Sequence, residues 1–240
     1  MIIIPAIDIK DGRVVRLTQG RMDEETVYSE SPVDVARKWK AAGAEIIHLV
    51  DLDGAMAGNA KNFGVMRSII EEVDIPIQIG GGIRAGDTAD KYLSFESVKR
   101  IIIGTAAFED EKFVKHLFEK YPGRVAVGID AKDGFVAIKG WITVTDMSAI
   151  ELAIKVEKLG AAYIIYTDIS RDGMLTGPNV KATKELAAAV SIPVIASGGI
   201  SSIKDIESYK GTPVEGIIVG KALYAGKVDL KEAIETVKGF

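Results

Sequence analysis

The stretch Ile4-Pro5-Ala6-Ile7-Asp8-Ile9-Lys10-Asp11-Gly12 is answered later in the chain by Val127-Gly128-Ile129-Asp130-Ala131-Lys132-Asp133-Gly134. Each is an apolar run ending in an aspartate and a Lys-Asp-Gly turn, and Asp8 and Asp130 stand 122 residues apart. Three further pairs follow in the same order. Ile47-His48-Leu49-Val50-Asp51-Leu52-Asp53-Gly54 resembles Ile165-Tyr166-Thr167-Asp168-Ile169-Ser170-Arg171-Asp172-Gly173, with two extra residues in the second loop. Ile75 to Ile83 parallels Ile192 to Ile200, each ending in Gly-Gly-Ile. Ile102-Ile103-Gly104-Thr105-Ala106 parallels Ile218-Val219-Gly220-Lys221-Ala222, a separation of 116 residues. Four ordered matches describe a doubled unit, and a fixed internal repeat has to be weighed before a fold is named.

Short β-branched runs alternate with amphipathic segments along the whole chain. Strands are read at Ile2 to Ile7, Ile46 to Val50, Ile75 to Ile79, Ile101 to Ile103, Val125 to Ile129, Tyr163 to Thr167, Pro193 to Ala196 and Gly216 to Val219. Helices are read at Val33 to Ala42, Phe63 to Glu72, Glu111 to Lys120, Ala149 to Leu159, Lys181 to Val190 and Leu230 to Lys238. Continuously apolar strands belong to a parallel sheet covered on both faces. An open doubly wound sheet shares that pattern, and the repeat separates the two. Two four-stranded halves, approximately 1–122 and 123–240, close into one TIM-type (β/α)8 barrel, an α/β single domain with internal two-fold duplication.

Composition fits one such domain: 240 residues, 48% of them hydrophobic. Thirty basic against 34 acidic side chains give a net charge of -4, without a long run of one sign, so nucleic acid is not expected as a partner. Cysteine is absent, which excludes disulfides, thiolate metal sites and a thiol nucleophile. The apolar start Met1 to Ile7 is too short for a signal-peptide core, and no stretch reaches the roughly 18 apolar residues of a membrane span. A cytoplasmic protein without membrane contact is expected.

Glycine between a strand and a helix lets backbone N–H groups close on an anion at the positive end of the helix dipole. In barrels the loops after the last two strands are the habitual place for phosphate. Here they carry Gly198, Gly199, Gly220 and Lys221; the first half offers Gly81, Gly82, Gly104 and Thr105. A doubled cradle implies a small-molecule ligand with a phosphate at each end. Asp8 and Asp130 end apolar strands where catalytic side chains of barrels project, and two enclosed carboxylates can divide into base and acid. Asp11 and Asp133 are turn residues in this reading. Thr167, Asp168 and Asp172 end or follow the sixth strand and add polar groups to the mouth. Trp141, placed on a long loop with Ile142 to Thr145, either stacks on a planar ligand or packs beneath the loop. His48 is equally a satisfied buried side chain or a substrate contact, and His116 is a surface residue. No ligand set for a metal is spaced in the sequence, so no metal is expected.

Pro5-Ala6-Ile7-Asp8, Gly12-x-Val14-Val15-Arg16-Leu17-x-x-Gly20, Ile79 to Arg84, Lys139-Gly140-Trp141, Thr167 to Gly173 with Gly177-Pro178-Asn179, and Ala196 to Ile200 together closely resemble the histidine-biosynthesis isomerase family. The resemblance runs from the first strand to the last. It implies an Amadori rearrangement of phosphoribosylformimino-aminoimidazole carboxamide ribotide, an aminoaldose opened and isomerised to an aminoketose. Carried over by position, Asp8 is the general base, Asp130 the general acid, Thr167 an aid between them, and Trp141 the platform for the aminoimidazole. In some relatives the acid is the aspartate matching Asp172. Substrate contacts fall on Arg16, Gly173 and Gly177 as well as on the cradles.

Alternatives are a bifunctional relative that also isomerises phosphoribosyl anthranilate, and the sister cyclase. The cyclase typically has a cysteine where this chain has Pro5-Ala6-Ile7, so its glutaminase partner is not expected, and the protein is expected to be a monomer. A non-catalytic phosphometabolite sensor is the reading from a different class.

Overall fold

Two-residue alternation along the first strand decides which residues reach the barrel interior. In β1 (Ile2–Lys10) the even positions Ile4 and Ala6 belong to one buried cluster with Ile102, Ile165, Ile195 and Ile218, while Ile3, Ile7 and Ile9 join the larger core outside. Asp8 therefore arrives at the inner face of the strand's last turns.

The structure, a computed structural model, describes residues 1–18 and 21–240. Gln19 and Gly20 lie outside the described residues, and with them the glycine that closes the Arg16 motif. After β1 come β2 (Arg13–Thr18), β3 (Arg21–Ser29), α1 (Pro32–Ala41), β4 (Ile47–Asp51), α2 (Leu52–Ala57), α3 (Phe63–Glu72), β5 (Ile77–Gly80), α4 (Gly86–Leu93), β6 (Val98–Ile103), α5 (Thr105–Glu109) and α6 (Glu111–Lys120). The remainder is β7 (Val125–Lys132), β8 (Phe135–Ile138), β9 (Thr143–Ser148), α7 (Ala149–Leu159), β10 (Tyr163–Asp168), α8 (Val180–Ala188), β11 (Val194–Ser197), α9 (Ile203–Glu207), β12 (Val214–Val219), α10 (Lys221–Tyr224) and α11 (Leu230–Val237).

Strands β1, β4, β5, β6, β7, β10, β11 and β12 pair in parallel in that order, and β12 pairs back onto β1. The eight form a closed barrel, so no open sheet exists and the barrel reading stands. Helices start where the sequence supplies caps: Ser31 before Pro32, the Ser148–Glu151 capping box of α7, and Asn179 before α8.

The four strands outside the barrel were not read from the sequence. β2 and β3 extend β1 antiparallel, and β8 and β9 extend β7 in the same way. Both hairpins turn on Asp-Gly with positive φ, Asp11 at 49° and Gly12 at 76° against Asp133 at 51° and Gly134 at 85°, as a two-residue type I′ turn requires. Thr143 to Thr145, expected as loop, is therefore strand. Its side chains are mostly exposed, so no apolar alternation marks it.

The loop behind the first cradle hangs on one carboxylate. Asp51 is fully buried, and its oxygens accept from the N–H groups of Gly54, Lys61 and Asn62 and from Asn62 Nδ2, all at 2.7–2.8 Å. Asp168 makes the corresponding bonds to Ser170 N and Asn179 Nδ2. Asp51→Ala strands several buried donors at once and is expected to lower unfolding free energy by about 3–5 kcal/mol in urea melts. A loss below about 1 kcal/mol would mean that water replaces the carboxylate there.

Candidate active site

The barrel mouth holds a cavity of about 260 Å³. Asp8, Arg16, Gly81, Gly82, Gly104, Thr105, Asp130, Trp141, Thr167, Asp172, Gly173 and Lys221 all line it. An adjoining recess is lined by Gly198, Gly199 and Gly220 together with Arg16, Asp172 and Lys221. Gly177 lines neither. It lies under the recess, where its N–H donates to the Gly199 carbonyl and its own carbonyl blocks any side chain at Gly199.

The two glycine clusters have the same backbone. Gly81 and Gly198 have φ of 99° and 91°, and Gly104 and Gly220 share φ near -107° and -109° with ψ of -99° and -103°. Not every cradle glycine is there for a ligand. A Cβ on Gly81 would meet the Asp51 carbonyl, and one on Gly199 would lie 2.6 Å from the Gly177 oxygen, so both positions serve close backbone packing. Gly104 is different: a Cβ there meets only the Gly128 oxygen, at 3.9 Å. Gly104→Ala is accordingly expected to keep the fold while its methyl blocks an anion. Stabilisation of the protein by inorganic phosphate in a thermal-shift titration should weaken about tenfold in apparent affinity. An unchanged titration would remove the first-half cradle from the binding site.

Arg16 reaches the recess from β2. It forms an ion pair with Asp8, and its guanidinium lies against Gly220, where a methyl group would collide with it. Arg16 thus joins the base candidate to the second cradle. Lys221 Nζ donates to the Gly173 carbonyl at 2.7 Å, fixing the loop that carries Asp172.

Asp130 lies two residues before the end of β7, beside Thr167, its register partner on β10. Trp141 Nε1 donates to Asp130 Oδ2 at 2.8 Å; the residue lines the cavity and also borders a small recess with Phe108, Val136 and Leu152. The segment Lys139-Gly140-Trp141 holds three successive positive φ values of 57°, 66° and 71°, a strained path for Lys139 and Trp141. Lys139 N on Thr105 Oγ1 and the indole on Asp130 pin it there.

Burial raises the pKa of Asp130, with hydrogen bonds from Trp141 and Thr167 acting against the rise. Asp172 is pushed further, to about 6. Burial is the main cause, the charges of Asp8 and Asp130 add to it, and Arg16 and Lys221 oppose it. Three carboxyl groups face one small space, and burial together with the neighbouring charges lets Asp172 keep its proton to about pH 6.

Residues not singled out as site residues also line the cavity. Ser197 occupies the position matching Gly80, and Arg84 reaches in from the Gly-Gly-Gly-Ile loop while Nη2 donates to the Ala55 carbonyl. The repeat itself was the signal for Ser197. His48 lines the cavity and pairs through Nδ1 with Gln78. Among the described residues no cluster of three or more potential metal ligands occurs, and no helix is long and apolar enough to cross a membrane.

Residues 2–229 match the family model described as histidine biosynthesis protein. The chain is 55% identical to the 1-(5-phosphoribosyl)-5-((5-phosphoribosylamino)methylideneamino) imidazole-4-carboxamide isomerase of Trichlorobacter lovleyi, over 99% of this chain and 98% of that one. It is 55% identical to the isomerase of the same name from Ruminiclostridium cellulolyticum, covering 98% and 99%. With that of Thermoanaerobacter pseudethanolicus it shares 52% identity over 99% and 100%.

Proposed function

The chain belongs to the histidine biosynthesis protein family, and from that premise we propose how its barrel mouth isomerises phosphoribosylformimino-aminoimidazole carboxamide ribotide from aminoaldose to aminoketose. The observation that carries the reading is a single cavity holding three carboxylates between two glycine cradles of matching backbone. Each cradle takes one phosphate of the substrate, which spans the mouth. Trp141 stacks on the aminoimidazole, its edge held by Asp130.

Asp172 is the general acid. It gives its proton to the ring oxygen of the aminoaldose as the bond from that oxygen to the first sugar carbon breaks and the nitrogen lone pair forms the iminium. Asp8 then removes the proton from the second sugar carbon, leaving an enolamine that becomes the aminoketose when the first carbon is reprotonated and the hydroxyl on the second carbon gives up its proton. A phosphate on the second cradle draws Arg16 toward itself and frees the Asp8 carboxylate for this step. Asp130 as the acid is the second reading, favoured by its own upward shift. Thr167 orients Asp130 from the adjacent strand.

The protein acts as a cytoplasmic monomer, without a glutaminase partner and without metal or organic cofactor, and its halves divide near residues 122 and 123. Purified protein is to be assayed with the aminoaldose and, separately, with phosphoribosyl anthranilate. Turnover of the first is expected. Its absence from folded protein would favour a sensor over an enzyme, and turnover of the second would make the enzyme bifunctional.

A further inference from the structure

His48 sits on β4 paired with Ala6, two residues below Asp8 on the adjoining strand, and its ring faces the cavity. Gln78 on β5 places its amide nitrogen 2.8 Å from His48 Nδ1. Behind it, Arg100 Nε on β6 donates to Gln78 Oε1 at 2.8 Å. A guanidinium has only donors, so the Gln78 oxygen must face Arg100 and the amide N–H must face the histidine. Nδ1 is then an acceptor, and the neutral ring carries its proton on Nε2. Among the described residues no hydrogen bond engages Nε2.

The barrel does not need this polar chain for closure. The matching positions in the other half are Ile165, Ile195 and Gly216, and the two isoleucines are ordinary members of the interior cluster. Arg100 is meanwhile 1% exposed, its terminal nitrogens find no acceptor among the described residues, and its guanidinium stacks 4.0 Å over Tyr163. Burying a guanidinium so sparsely satisfied is unfavourable where aliphatic side chains serve across the barrel.

We propose that Arg100 and Gln78 are positioning residues that lock His48 as the Nε2–H tautomer, and that this N–H donates to the substrate oxygen on the carbon that Asp8 deprotonates. The inference rests on the isomerase reading above. No proton is transferred by His48; the electron pair left by the carbon-bound proton passes to the iminium nitrogen, and the N–H acts in the step that follows, stabilising negative charge on that oxygen as it gives up its own proton to become the ketone and the first carbon is protonated. Burial and the positive charges of Arg16 and Arg100 hold the His48 pKa down at about 3, so the ring stays neutral and does not compete with the carboxylates for protons.

The chain has two histidines, and His116 is exposed on α6, so His116→Gln leaves a single imidazole to observe. In that background, with 15N-labelled histidine, the His48 shifts are expected to report Nε2–H and not to titrate between about pH 5 and 8. Gln78→Glu presents only acceptors, so Nδ1 must take a proton and the shifts move to the other tautomer or to imidazolium. Its kcat on the aminoaldose is expected to fall at least about tenfold, with KM within about threefold. Gln78→Met, which removes the donor without adding charge, should leave mixed tautomers and a smaller loss in kcat, and it decides the matter if the Glu variant does not fold. An Nδ1–H signal in the parent protein overturns the inference. So does a variant with moved shifts and unaltered kcat. Failure of the parent protein to turn over the aminoaldose would instead strike the isomerase reading, and the tautomer result would still test the lock.

Discussion

Asp8→Asn is expected to lower kcat on the aminoaldose by about a thousandfold while leaving substrate affinity within a few-fold. Asparagine fills the same space at the end of β1 but has no basic oxygen to take the proton from carbon. The two phosphate cradles, formed by glycine backbone on other loops, remain as they are. A second consequence separates this residue from a mere ligand contact. In the parent protein Arg16 is committed to Asp8, and the substitution releases that guanidinium next to Gly220. Inorganic phosphate should consequently bind the variant at least as tightly as the parent in calorimetry, even as turnover collapses. Turnover within tenfold of the parent would eliminate Asp8 as the base, and a parallel loss of phosphate affinity would show that its charge serves binding.

Much of this site was legible because the chain is doubled: Asp8 and Asp130 each follow an apolar run and precede a Lys-Asp-Gly turn. The structure adds the parity that turns both to the mouth, through Ile4 and Ala6 in β1 and Ala126 in β7. The eight barrel strands were marked by apolar residues on both faces. The side hairpins were not: β8 and β9 leave Phe135 and Val144 nearly half exposed, and nothing in their pattern distinguishes them from loop. Glycines were the hardest to sort. Gly104, where a Cβ would meet only the Gly128 oxygen, and Gly177, held at a φ of 88° with its N–H on the Gly199 carbonyl, look alike as letters although one leaves room and the other makes a turn. The Arg100–Gln78–His48 chain was likewise hidden, since three residues on three strands meet only through strand register.

Asp172→Asn is expected to reduce kcat by about a hundredfold or more and to remove the alkaline limb of the pH profile. In the free parent enzyme the acid must be protonated, so kcat/KM should fall as pH rises through about 6, the pKa that burial and the neighbouring Asp8 and Asp130 charges impose. Bound phosphates add negative charge and raise that pKa, which places the limb of kcat at higher pH than the limb of kcat/KM. Stability provides an independent check with a definite sign. The folded pKa of about 6 exceeds the ordinary 3.8, so the unfolded chain releases this proton first. The stability linked to the group is present in full below about pH 4 and is lost as pH rises through about 6. Asn carries no such charge. Its Tm should exceed that of the parent at pH 8, with little difference between the two at pH 4. If Asp130 were the acid instead, Asp130→Asn would abolish the alkaline limb and Asp172→Asn would keep it. Only the acid's own substitution removes the limb, so the pair of profiles assigns the role.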